Sequence, residues 1–217
     1  MPHYTTVLFD LDGTLIDSIG LIVESFHHTF AHFGRPPRSD AAWIETIGTP
    51  LRTAFAPHAR DEAELDAMID VYREYNIANH DARVRAYPGV PATVRGLMAR
   101  GIKMGIVTSK NRTGTRRGLR AAGLEDAIET LVCAEDVTHA KPHREPVDRA
   151  IALLGADRAA TLFVGDSVHD MHAGRSAEVK TGAAMWGPFE RRQLEEAHPD
   201  HWLSAPEQVL RLALEGG

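Results

Sequence analysis

Along most of this chain, short apolar runs alternate with stretches in which apolar residues recur every three or four positions. Val7-Leu8-Phe9 is the first such run. Its continuous apolar character predicts a strand over 5–10 buried on both faces, as in a parallel sheet. The period then changes. From Ser18 to about Phe33, Leu21, Ile22, Phe26 and Phe30 fall on one helical face, and Gly34 with Pro36-Pro37 ends the helix. Ser39 or Asp40 caps a second short helix through Trp43 and Ile44, which runs out at Ile47-Gly48-Thr49-Pro50. Helices over 51–55 and from Glu62 to about Asn79 follow, and no strand is expected over 17–80.

After the turn at Tyr87-Pro88-Gly89-Val90 the pattern becomes strictly alternating. Helices are predicted near 90–100, 113–122, 145–154, 170–178 and 206–214. Strands are predicted near 103–107, 130–133, 161–164, 181–185 and 201–203. Strands alternating with helices imply an α/β fold, a parallel sheet with right-handed crossovers. The expectation is a Rossmann-like core from residues 1–16 and 86–217, with an inserted all-helical cap, 17–85. The connections near 15–18 and 81–87 are candidate hinges.

Composition narrows the partners. The 24 basic residues against 30 acidic ones leave a net charge of −6, which argues against nucleic acid or an anionic membrane surface as the main partner. No apolar run approaches the roughly 18–20 residues of a spanning helix, and no leader pattern is read at the N-terminus. Cys133 is the only cysteine, so no intrachain disulfide is available, which fits a cytoplasmic setting. A monomer or homodimer is expected. The four lysines, Lys103, Lys110, Lys141 and Lys180, stand out against an arginine-dominated basic load.

The candidate chemistry gathers at strand ends. Asp10-Leu11-Asp12-Gly13-Thr14 follows the first strand, and in open α/β sheets ligands bind beyond the carboxyl ends of the strands. Two carboxylates beside a buried strand are costly unless a cation or proton compensates. A divalent metal would do so and leave one carboxylate as nucleophile and the other to move a proton. Two later strands also end in reactive residues, at Thr108-Ser109-Lys110 and at Gly165-Asp166-Ser167. If these strands are neighbours, their tips share a crevice, with Lys141 of His139-Ala140-Lys141-Pro142 as a fixed cation.

These four segments, in this order, resemble the motifs of the haloacid dehalogenase-like superfamily, and the resemblance covers nearly the whole chain. It implies a Mg²⁺-dependent phosphohydrolase. By that resemblance Asp10 is the nucleophile and a metal ligand. Asp12 is the acid/base and gives its backbone carbonyl to the metal. Thr108, Ser109 and Lys141 bind phosphate, with Thr108 and Lys141 also catalytic. Asp166 is a direct metal ligand, and Asp170 lies behind it, holding the metal's waters. The acid at Asp12 argues against dehalogenation, and the absence of lysine from the cap argues against Schiff-base chemistry. The segments around Gly105–Lys110, Lys141-Pro142 and Ile47–Leu51 resemble phosphoglycolate phosphatases. Tyr72-Arg73-Glu74-Tyr75-Asn76 resembles the bacterial pyrophosphatases of that branch. The implied substrate is a small phosphorylated metabolite or pyrophosphate. The alternatives are a phosphomutase of the β-phosphoglucomutase type and a catalytically silent binding protein.

Gly48, Thr49 and Arg52 are the cap candidates for substrate selection, with Arg52 able to bind a second anionic group. Arg73 is read as exposed or helix-pairing. Arg144 departs from the proline that the family pattern places there. The twelve histidines, including His169, His172, His27, His28 and His32, are read as surface or packing residues, Cys133 as a small buried hydrophobe, and Trp186 as packing near the site's rim.

Overall fold

The computed structural model describes residues 3–215. Residues 1–2 and 216–217, which the core assignment included, lie outside the described residues. In chain order the elements begin with strand β1 (Thr6–Phe9) and a two-residue strand β2 (Ile16–Asp17). Four helices follow: α1 (Ile19–His32), α2 (Asp40–Ile44), α3 (Leu51–Phe55) and α4 (Glu62–Arg83). Strand β3 (Arg85–Ala86) and helix α5 (Val90–Met98) lead into β4 (Lys103–Val107), α6 (Arg112–Ala121), β5 (Thr130–Val132) and α7 (Glu145–Leu154). The chain closes with β6 (Thr161–Gly165), α8 (Val168–Ser176), β7 (Lys180–Ala184), α9 (Arg191–Glu195), β8 (His201–Leu203) and α10 (Glu207–Glu215).

Six strands form one parallel sheet in the order β5-β4-β1-β6-β7-β8. β1 lies at its centre, with Phe9 in register with Ile106 of β4 and with Val164 of β6. The tips of β1, β4 and β6 are therefore adjacent, and strand order reverses beside β1, the position where open sheets bind ligands. Alternation along each strand sends side chains to two faces. Leu8, Val107 and Phe163 meet Val147, Ile151 and Ala173 of α7 and α8 on one face. Val7, Phe9, Ile106 and Val164 join Val90, Val94, Leu97 and Leu212 on the other.

The helices after β1 carry a core of their own. Phe26 stacks on Trp43 with ring centroids 4.4 Å apart, and Phe30, Phe55 and Tyr72 close around them. Such contacts hold helices as short as α2 and α3, which would be marginal alone. Ser39 caps α2 by accepting from the backbone N–H of Ala42 at 3.2 Å. This cluster continues onto Met171, Phe189 and Leu194 of the sheet-bearing part. Three features depart from the sequence expectation. β2 and β3 pair antiparallel at the two crossings between sheet and helices, so Asp17 is in a strand. Helix α4 runs on to Arg83, and α9 was not expected. Arg144 lies at the start of α7, where its Nε donates to Asp148 Oδ2 at 2.6 Å. Among the described residues no helix is long and apolar enough to cross a membrane.

Candidate active site

The loop after β1 is folded onto β6. The backbone N–H of Asp10 donates to Val164 O (2.9 Å), and the Thr14 hydroxyl donates to Asp166 Oδ1 (2.7 Å). Gly13 has a φ of +87°, and a Cβ there would lie 2.4 Å from Asp166 Oδ2. Only glycine suits both the left-handed backbone and the close approach. Trp186 donates from Nε1 to Thr14 O (2.8 Å), so it does border the site and steadies this loop from β7.

Lys141 reaches the crevice from the loop before α7. Its Nζ donates to Asp10 Oδ1 (2.8 Å), Asp170 Oδ1 (2.6 Å) and the Val107 carbonyl (3.2 Å). Asp170 is held on its other oxygen by the Ser167 hydroxyl at 2.6 Å. Asp10, Asp166 and Asp170 are all buried, with a carboxylate oxygen of each within 4.8 Å of the others. With one ammonium among three buried carboxylates, the group in its fully ionised form is short of two positive charges. Asp166 Oδ2 is buried with no hydrogen-bond partner. An orphaned carboxylate oxygen within a cluster of buried carboxylates suits a hard divalent cation.

The protonation energetics agree. Burial pushes the Asp10 carboxyl up to about 7, although Lys141 pulls against it. Burial, and then the charges of Asp10 and Asp170, hold Asp166 well above the ordinary carboxylate range. Burial disfavours the charge on Lys141, but Asp10 and Asp170 outweigh it and keep the ammonium protonated.

A second ion pair lies beside the first. Lys110 Nζ donates to both oxygens of Asp12 (2.9 and 3.0 Å), and the Ser18 hydroxyl donates to Oδ1 (2.6 Å). Burial works against the Asp12 charge, but Lys110 and Ser18 outweigh it and lower its pKa. Sequence reasoning singled out Lys110 for its rarity and its place at a strand end but gave it no role, because Asp12 is 98 residues away and meets it only once β1 and β4 pair. The Thr108 hydroxyl accepts from the Lys110 backbone N–H at 3.2 Å, which leaves its own proton for a ligand.

Asp10, Asp12, Thr108, Ser109 and Lys110 line a cavity of about 720 Å³ whose other wall is built by the helices between β1 and β4. Gly48 and Thr49 line it, and the Ser109 hydroxyl donates to the Gly48 carbonyl at 2.6 Å. Gly48 has a φ of +94°, and a Cβ there would come within 3.1 Å of Ser167 Oγ. Arg52 also lines the cavity, but its guanidinium donates to Glu62 at 2.5 Å and also engages Asp66. Arg73 lines the cavity too; it is exposed, as one of its two sequence readings expects, and has no ion pair among the described residues.

The family model for haloacid dehalogenase-like hydrolases matches residues 7–184, a span that includes every motif above. The chain belongs to this family. A curated member from Anoxybacillus flavithermus, named pyrophosphatase PpaX, is 41% identical over 210 residues, covering 97% of each chain. The haloacid dehalogenase-like hydrolase structure from Bacteroides fragilis superposes with a TM-score of 0.88 at 28% identity, covering 95% of this chain and 99% of that one. A predicted phosphoglycolate phosphatase from Haemophilus somnus shares the fold, with a TM-score of 0.86 at 23% identity, covering 98% of this chain and 99% of that one. Family membership makes the chain a hydrolase, and the buried aspartate cluster suits the divalent metal such hydrolases generally use.

Proposed function

We propose that this hydrolase removes a phosphoryl group from pyrophosphate, or from a small phosphate monoester, by way of an aspartyl-phosphate on Asp10. The observation that carries the reading is the buried group of Asp10, Asp166, Asp170 and Lys141, short of two positive charges. Asp10, Asp166 and the Asp12 carbonyl would hold Mg²⁺, which supplies charge neutralisation for an anionic phosphoryl group.

The residues then divide the work. Lys141 fixes Asp10 through Oδ1, and no described hydrogen bond engages Oδ2, which is the attacking oxygen. Thr108, Ser109 and Lys141 bind the transferring phosphoryl oxygens, since phosphoryl transfer depends on positioning and charge stabilisation. Asp170 is a positioning residue for Lys141 and the cation's water shell. Asp12, held by Lys110 and Ser18, takes the proton from the water that attacks the aspartyl-phosphate. Residues 17–85 act as the cap over a core of 1–16 and 86–217, joined through the β2–β3 ribbon. Gly48 and Thr49 shape the leaving-group side.

Pyrophosphate is the favoured substrate. The curated relative named pyrophosphatase PpaX supports it at 97% coverage of both chains. Arg73 supports it also, as an unpaired guanidinium on the cavity wall that suits a leaving phosphate. Arg52 is less suited, because Glu62 and Asp66 already occupy it. A cytoplasmic setting, a monomer or homodimer, and the lack of a nucleic-acid or membrane partner rest on the sequence reading alone.

The test is phosphate release from pyrophosphate, 2-phosphoglycolate and a panel of sugar and nucleoside monophosphates, with Mg²⁺ and with EDTA. The expected result is release led by pyrophosphate, abolished by EDTA and lost in Asp10→Asn. Isomerisation of a sugar phosphate without release would point to a mutase. Ligand binding without turnover at any Mg²⁺ concentration would overturn the enzymatic reading.

A further inference from the structure

A second group of metal-ligand side chains lies outside the catalytic crevice, on the surface of the loop that carries Lys141. His139 and His143 are exposed and Glu145, the first residue of α7, is half-buried. One ligand atom from each lies within 4.8 Å of the other two. The imidazole centroids are 4.7 Å apart, and His139 Nδ1 is 2.9 Å from Glu145 Oε2. Glu145 is itself fixed, because its carboxylate accepts the backbone N–H groups of Thr138 (2.7 Å) and His139 (2.9 Å). The backbone N–H of Glu145 donates to His143 Nδ1 at 3.1 Å, which ties the second imidazole to the start of α7 and leaves its Nε2 free of that bond. The catalytic reading uses none of these three side chains.

We propose that His139, His143 and Glu145 form a separate binding site for a late first-row divalent ion such as Zn²⁺ or Ni²⁺. The two centres differ in donor chemistry. The buried one offers only carboxylate oxygens, which suit Mg²⁺, whereas the surface one offers two imidazoles and a carboxylate, which suit Zn²⁺ and Ni²⁺. Ligand bonds of about 2.0–2.2 Å need donor atoms closer than 4.8 Å, and exposed histidine rings close that gap by small rotations. Exposure leaves the remaining coordination positions to water. His139 and His143 stand two residues on either side of Lys141, so an ion bound here pins the loop that delivers the catalytic ammonium.

The full-length protein in millimolar Mg²⁺, which fills the oxygen site, is titrated with NiCl₂ by isothermal calorimetry. One Ni²⁺ per chain is expected. His139→Gln and His143→Gln should each weaken it at least fivefold, while His32→Gln, on an exposed histidine of α1, leaves it unchanged. Both substituted residues are exposed and contribute nothing to the apolar core, so the variants remain folded. A protein that takes up no stoichiometric Ni²⁺ under these conditions overturns the proposal. So does uptake that both variants leave within fivefold of the unsubstituted chain.

Discussion

Metal-free protein should carry a measurable penalty for Asp10, the proposed nucleophile. Asp10 is 5% exposed, and its carboxyl is pushed from an ordinary 3.8 to about 7. At about 1.36 kcal/mol per pH decade, this amounts to about 4 kcal/mol, of which about 3 kcal/mol falls between pH 5 and pH 8. The sign follows from proton counting. Between pH 3.8 and 7 the folded state holds a proton on Asp10 that the unfolded chain has released, so stability falls as pH rises through this window. Asp166, also raised, acts in the same direction. Four histidines act in the opposite one: burial lowers the pKa of His58, His80, His169 and His201, so each favours the folded state as pH rises.

The measurement must therefore be a difference. In EDTA, wild type and Asp10→Asn are melted across pH 5–8 at fixed ionic strength. Asparagine mimics the neutral carboxyl, so the variant should lead by about 1–2 kcal/mol at pH 5 and by about 4 kcal/mol at pH 8. The growth of about 3 kcal/mol across that range is on the order of 5–10 °C for a chain of this length. Saturating Mg²⁺ should raise the wild type at pH 8 and narrow the gap. If Asp10→Asn gains nothing on wild type between pH 5 and pH 8, the charge argument for the buried centre is wrong.

The remaining expectations concern neighbouring residues. Lys110→Met removes the cation that outweighs burial at Asp12, so the acid limb of the pH–rate profile should move to higher pH, and turnover near neutrality should fall about 10- to 100-fold. An unmoved acid limb would detach Lys110 from the reaction. Gly13→Ala places a methyl 2.4 Å from Asp166 Oδ2 on a left-handed backbone, so denaturant melts should show a loss of about 1–3 kcal/mol and Mg²⁺ titration a weaker ion. Arg73→Ala should raise the KM for pyrophosphate about tenfold and leave p-nitrophenyl phosphate unchanged. Equal effects on both substrates would remove Arg73 from leaving-phosphate recognition.

The parallel core was readable because its signals are local. β1, β4 and β6 are continuous apolar runs ending in a reactive residue, and the structure makes them neighbours in the sheet. The β2–β3 ribbon was not readable, since two residues per strand cannot display a period of two. Helix α9 is hidden for a related reason: five residues give little more than one turn, and only Leu194 of them is buried.

The site shows the same division between local and distant information. Asp10, Thr108, Asp166 and Lys141 carry motif signals within a few residues of themselves. Lys110 and Arg73 lie within family-like segments, but those segments assign them no role, because what matters about a cation is which anion already holds it. Arg52 looked free in sequence, yet Glu62 and Asp66, ten and fourteen residues on, occupy it from one face of α4. Arg144 departs from the family's proline three residues after Lys141, and Asp148, four residues further on, takes it up along α7. Charge pairing is set by three-dimensional neighbours, and a strand or helix must be placed before it can be counted.

That counting also ties stability to catalysis. If the three buried carboxylates were matched by three lysines, the fold would be relieved of its strain in charge and would have no place for a cation. The centre would then offer Asp10 to a phosphate dianion with every lone pair already engaged. Leaving Asp166 Oδ2 unpartnered and Asp10 held on one oxygen keeps both available, at a cost in metal-free stability of about the 4 kcal/mol reckoned for Asp10. A variant that adds a positive charge beside Asp166 should therefore melt higher in EDTA and turn over more slowly in Mg²⁺.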